Sequence, residues 1–218
     1  MKNRFVYFVI IMLLLFLPII SAQLSNRDSQ LLNEYGVSFD NTNKIQVDRA
    51  SGDLIISSGA NVDVTGDKFN GKIRGGSGGG RVVVNKQPIT LTQGGYVVIK
   101  NGKIVEFKNA NLEKAIVLNG HSFQGTGVDY DGNKITTSSR VVIDGVTYEN
   151  LISAQPIDIL FMADGTVRVQ PKSVTATVRI DGKKIIFGKD AKGRKSWIAL
   201  RGKEIVGFNG IEAVDYIS

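Results

Sequence analysis

The sequence predicts an all-β fold, and three observations carry that prediction. Apolar and polar residues alternate with a period of two over most of the chain after Lys44, as half-buried strands require. Asn-Gly or Asp-Gly pairs punctuate the strands at Asn101-Gly102, Asn119-Gly120, Asp131-Gly132, Asp144-Gly145, Asp164-Gly165 and Asp181-Gly182. At such pairs the backbone reaches positive φ at little steric cost. Helical periodicity is confined to one short stretch near the start of the chain.

Taken in order, the chain of 218 residues opens with Lys2 and Arg4, an apolar run from Phe5 to Ile20, and the small residues Ser21 and Ala22. That succession predicts a secretory signal peptide over residues 1–22. The apolar run is shorter than a bilayer span usually needs, so an uncleaved membrane anchor is the alternative. A capping helix and linker are expected over residues 23–40. Ser25 and Asp28 are spaced as a capping box, Leu31, Leu32 and Tyr35 share a face, and Gly36 follows as a stop. Such a short helix needs something to dock on, and the exposed end of a β array needs cover.

Residues 41–218 are expected to form the β domain. Ile45 and Val47, Val62 and Val64, and Ile89 and Leu91 alternate with polar neighbours, as do Val174, Ala176, Val178 and Ile180. Between the early strands lies a glycine-rich run over residues 75–80. It enters the strand Val82-Val83-Val84 instead of a helix, so it lacks the context of a phosphate-binding loop. A flexible connection is expected there.

The turns recur at loose intervals. Gly145 to Gly165 and Gly182 to Gly202 are both 20 residues apart, and Lys103, Lys183 and Lys203 each follow a turn glycine. A degenerate unit near 20 residues predicts a short β-solenoid, a β-helix-like stack in which each coil buries its inner face on the next. The alternative is an antiparallel β-sandwich or barrel, because Asn-Gly and Asp-Gly are also favoured hairpin turns. The cadence of residues 94–107, Val-Val-Ile then Asn-Gly-Lys then Ile-Val-Glu-Phe, resembles the coils of secreted prokaryotic β-solenoid surface proteins. The resemblance spans about residues 40–210, is architectural, and brings no catalytic motif with it.

Composition excludes several chemistries. With no cysteine there are no disulfides, thiolate ligands or thiol nucleophile, and the single histidine, His121, rules out a multi-histidine zinc site. No Gly-x-Ser-x-Gly elbow accompanies it. Residues 129–133 alternate oxygen ligands like a calcium loop, but Lys134 and Arg140 stand where that loop needs glycine and glutamate. Hence no metal, cofactor or catalytic residue is assigned. The absence of cysteine and of any Asn-x-Ser/Thr acceptor favours a prokaryotic source.

The net charge is +7, of which Lys2 and Arg4 contribute two, and it is unevenly placed. Residues 166–218 hold 11 Lys and Arg against 5 Asp and Glu. Its centre, Lys189, Lys192, Arg194 and Lys195 beside Trp197, the sole tryptophan, is the predicted ligand-binding site. Lysines would attract an acidic polysaccharide or envelope polymer, and the indole could stack on a sugar ring or take a cation–π contact. No sequence-specific nucleic-acid motif is present. The expectation is therefore a secreted, non-enzymatic protein of the cell envelope or surface. The rival is a β-helix polysaccharide lyase or glycoside hydrolase built on Asp129, Asp131, Asp144 and Glu149.

Overall fold

The structure, a computed structural model, describes residues 21–152, 155–189, 193 and 195–216. Of the described residues about 62% are strand and 6% helical, so the fold is all-β, with one α-helix among them. In chain order, β1 (Ser21–Gln23) is followed by helix α1 (Asn26–Glu34) and β2 (Val37–Asp40). Next come β3 (Ile45–Asp48), β4 (Leu54–Ile56), β5 (Asn61–Val64), β6 (Gly71–Gly75) and β7 (Gly80–Val84). Three long strands then dominate the middle: β8 (Gln87–Lys100), β9 (Lys103–Leu118) and β10 (His121–Tyr130). Shorter strands complete the chain: β11 (Lys134–Thr137), β12 (Arg140–Ile143), β13 (Val146–Ile152), β14 (Ile157–Phe161) and β15 (Val167–Pro171). The last five are β16 (Ala176–Ile180), β17 (Lys183–Phe187), β18 (Trp197–Arg201), β19 (Glu204–Asn209) and β20 (Ile211–Tyr216).

The pairing divides this single, unclosed sheet into two arms joined through the long strands. One half of β8 pairs with β6 and the other with β7, and the two ends of β10 pair separately with β11 and β12. From there hairpins are added to the arms in turn. The hairpin β12–β13 extends the second arm, β14–β15 the first, β16–β17 the second and β18–β19 the first. Each interval of roughly 20 residues seen in the sequence is here one hairpin. In the N-terminal part the same interval has another origin. The segments β4 and β5 stack in parallel under β6 and β7, pairing Leu54 with Ile73 and Asn61 with Arg81 at offsets of 19 and 20 residues.

The hairpins turn where the sequence indicates. Asn101-Gly102, Asn119-Gly120, Asp144-Gly145 and Asp181-Gly182 all have positive φ at both residues, the mark of two-residue type I′ turns. Alternation then sets one face of every strand inward. In the first arm a ladder of directly opposed residues runs through Leu54, Ile73, Val97, Phe107, Tyr130, Ile135, Ile159, Val169 and Ile198. All are buried and belong to one hydrophobic cluster shared with the second arm. The ladder's next member, Phe208, is 65% exposed, because β19 and β20 each pair on one side only among the described residues.

Helix α1 forms as expected, with Ser25 as N-cap, a complete capping box with Asp28, and Gly36 at φ +78 beyond its end. It connects β1, at the edge of the first arm, to β2, at the edge of the second. Its apolar face is only partly used: Leu32 packs against the core, whereas Leu31 and Tyr35 remain about half exposed.

The glycine-rich run is not a flexible connection. A Cβ at Gly75 would lie 2.1 Å from the Thr92 carbonyl oxygen, one at Gly79 2.0 Å from that of Leu91, and one at Gly80 2.7 Å from the Ile56 side chain. Backbone bonds from Ser58 N to Ser77 O and from Gly76 N to Ile56 O fix the run on the coil beneath. These glycines are needed because two chain segments approach more closely than any side chain permits.

Candidate functional site

The four acids of the enzyme reading do not converge. Asp129, on the outward face of the first arm, accepts a hydrogen bond from Asn109 N at 2.8 Å. Asp131 closes its own turn, accepting from Asn133 N, and lies 3.5 Å from Lys134 Nζ. Asp144, in a second-arm hairpin, meets His121 Nδ1 at 2.7 Å and accepts from Ser122 N. Glu149 pairs with Arg179 at 2.7 Å on the second arm's outward face. His121 stacks on Phe161 with ring centroids 4.4 Å apart, which joins a second-arm turn to a first-arm strand. No hydroxyl bonds to its ring among the described residues. No group of three or more His, Asp and Glu among those residues is arranged to hold a metal ion.

Asp129 instead contributes to a shallow groove of about 200 Å³ with Tyr96, Glu106, Lys108, Lys134 and Thr136. The Tyr96 hydroxyl donates to Glu106 Oε1 at 2.5 Å, and the Lys72 ammonium sits 3.9 Å from the centre of its ring. That hydrogen bond, followed by burial and the negative charges of Glu106 and Asp129, pushes the phenol up to about 12. At neutral pH Tyr96 is therefore a proton donor and not a base.

The predicted basic site is partly assembled. Residues 172–175 join β15 to β16, and the described residues Gly188, Lys189, Gly193, Lys195 and Ser196 lie between β17 and β18. Together they enclose a cleft of about 380 Å³ lined by Lys172, Val174, Lys189 and Lys195 with small residues between them. Its base is tied by the Ser196 hydroxyl, which donates to the Gly188 carbonyl, and by Gly188 N bonding Gly210 O at 2.8 Å. Among the described residues the lining contains no carboxylate, and neither Lys189 nor Lys195 pairs with one. Lys172 is held loosely, 3.5 Å from Asp158 Oδ1, and the Glu212 side chain lies against Gly188 at the rim. Lys192 and Arg194 fall outside the described residues.

Trp197 is half-buried on the outward face of the first arm instead of standing free beside the lysines. The Arg168 guanidinium lies 4.3 Å from the centre of its ring, and Gly207 approaches the indole edge. The stacking surface expected for a sugar is thus occupied by an arginine, a cation–π contact. Arg168 and Lys172 were missed in the sequence, although Arg168, Gln170 and Lys172 alternate along one face of β15 and its extension, a period-two signal that Pro171 interrupts only in appearance. Comparison with protein-family models, curated proteins and solved structures finds no match to this chain.

Proposed function

We propose that this is a secreted, non-enzymatic protein of a prokaryotic cell envelope or surface that attaches to an acidic polymer through the cleft of Lys172, Lys189 and Lys195. The observation that carries this reading is a cleft lined by Lys172, Lys189 and Lys195, from two segments distant in sequence, with no carboxylate among its described lining residues. Lysine is a flexible point charge, suited to holding a polyanion without demanding one geometry. The unequal charge of residues 166–218 supports the same reading. Secretion rests on the leader-like residues 1–22. Among the described residues no helix is long and apolar enough to cross a membrane.

The architecture we read as a short solenoid built mainly from antiparallel hairpins, with α1 covering its first end. The parallel coil of β4–β5 under β6–β7 and the regular alternation of hairpins between the arms support it. A sandwich whose two sheets share strands is the alternative description. The enzyme rival now rests on the Tyr96 groove alone, where a carboxylate, Glu106 or Asp129, would have to act as base.

The test is retention of the mature chain on an immobilised heparin column. Exposed charges are screened beyond about 8–10 Å at physiological salt, so retention through the cleft must fall steeply as salt is raised. Replacing Lys172, Lys189 and Lys195 together by alanine should move elution to markedly lower salt while leaving the melting temperature nearly unchanged. Co-elution of the triple variant with the parent refutes the cleft as the attachment site.

A further inference from the structure

Arg168 is a half-buried cation that the described chain leaves unpaired. It forms no hydrogen bond or ion pair with any described residue, and its Nε is buried without a partner. Its guanidinium is packed over the Trp197 ring at 4.3 Å. Keeping a partly desolvated cation unpaired is costly, and an oxyanion from outside would supply what the chain does not. Stacking takes up one face of the guanidinium, so the donors left for a ligand are the Nη groups in the guanidinium plane. That rigid fork fits an acceptor with two coplanar oxygens, a carboxylate above all.

The surroundings extend the argument. Arg168, Gln170 and Lys172 stand on one face of β15 and its extension, at steps of about 6.8 Å. They present a cation, a neutral amide and a second cation in line. The strip runs into the lysine cleft through Lys172, which lines it. Asp158, directly opposite Gln170 across the strands, places a carboxylate beside the middle of the strip, although Lys134 and Lys172 lie within 3.7 Å of it. A polymer with a phosphate at every step would be repelled there. One with hydroxyl-bearing units between its acid groups would find an amide and an acceptor. Single-stranded nucleic acid fits poorly, because it needs open aromatic platforms and the Trp197 ring is already covered by Arg168.

We infer that the polymer is a carboxylated polysaccharide, lying along β15 with a carboxylate on the Arg168 fork and with Trp197 as the residue that positions it. The inference rests on the cleft reading above and adds the ligand's chemistry to it. Trp197 is the only tryptophan, so its emission reports directly on this contact. Fluorescence titration of the mature chain with a hyaluronate oligosaccharide should change the emission and saturate, and polyphosphate of matched total charge should bind more weakly. The variant R168K keeps the charge but loses the fork, and it should weaken hyaluronate binding roughly tenfold while leaving polyphosphate binding unchanged. Equal hyaluronate affinity of R168K and parent, at equal melting temperature, overturns the assignment to Arg168 and leaves the cleft standing. Polyphosphate binding as tight as hyaluronate overturns the choice of carboxylate. Failure of the parent to bind either probe overturns the cleft reading and this inference together.

Discussion

Three alanine substitutions separate the two reasons why this chain needs glycine. Gly182, in the β16–β17 hairpin, has φ +86 and nothing within 4 Å of a Cβ. Its replacement meets only the left-handed backbone penalty of about 1–2 kcal/mol, less the 0.4–1 or so returned by stiffening the unfolded chain. Gly75 has no positive φ, but its Cβ would lie 2.1 Å from Thr92 O, where ordinary contact begins at 3.4 Å. To accommodate it β8 must move by more than an ångström, at the roughly 1–3 kcal/mol typical of overpacking. Gly79 combines φ +72 with a Cβ position 2.0 Å from Leu91 O, so Gly79→Ala should cost about the sum, roughly 3 kcal/mol. Urea unfolding of the mature chain measures all three as shifts in midpoint at constant slope. The expected order of loss is Gly79→Ala, then Gly75→Ala, then Gly182→Ala. If Gly75→Ala is as stable as the parent, the close approach that replaces the flexible-linker reading is wrong.

What could be read in the sequence was whatever depends on neighbours along the chain. The capping box at Ser25 and Asp28, four of the six turn pairs as two-residue turns with positive φ at both positions, and most of the period-two strands are local patterns that appear as expected; Val174 is the exception on its face, exposed and outside β16. What could not be read depends on register between strands. From the Asn101-Gly102 turn, Lys100 faces Lys103 and Ile99 faces Ile104, which by simple counting would set Tyr96 opposite Phe107. A β-bulge after Val98 adds one residue to β9, so Tyr96 lies opposite Lys108 and Val98 opposite Glu106. One inserted residue exchanges the faces of the partner strand, and the Tyr96–Glu106 groove exists because of it. The glycine run failed for a related reason: composition shows that side chains are absent there but not what fills their place. A cation–π contact at Trp197 could be expected, but its partner could not be named, because Arg168 is 29 positions away on a strand that meets β18 only after two changes of arm.

Two further outcomes are expected. Mass spectrometry of the protein exported from its native host should show loss of residues 1–22, leaving Gln23 first and removing most of β1 from β3. An intact N-terminus in a detergent-requiring protein would replace secretion with anchoring. The other concerns acid. Hydrogen bonds from the Arg49 and Ser25 side chains lower Asp28 from its ordinary 3.8 to about 2. A carboxyl lowered by folding adds stability that is fully present above its unfolded value and disappears as pH falls through the folded one. Asp28→Asn should therefore be less stable than the parent at pH 5, with the difference narrowing below about 4, mostly lost by about 2 and gone only below both values. Asp40, Asp48 and Asp164 are also held low, and they destabilise parent and variant alike on acidification, so they cancel in the difference. A gap that stays constant from pH 5 to pH 2 would mean that asparagine harms the helix start by its shape. The ion pair with Arg49, 2.7 Å in the structure, would then contribute nothing to holding α1 against the β3–β4 turn.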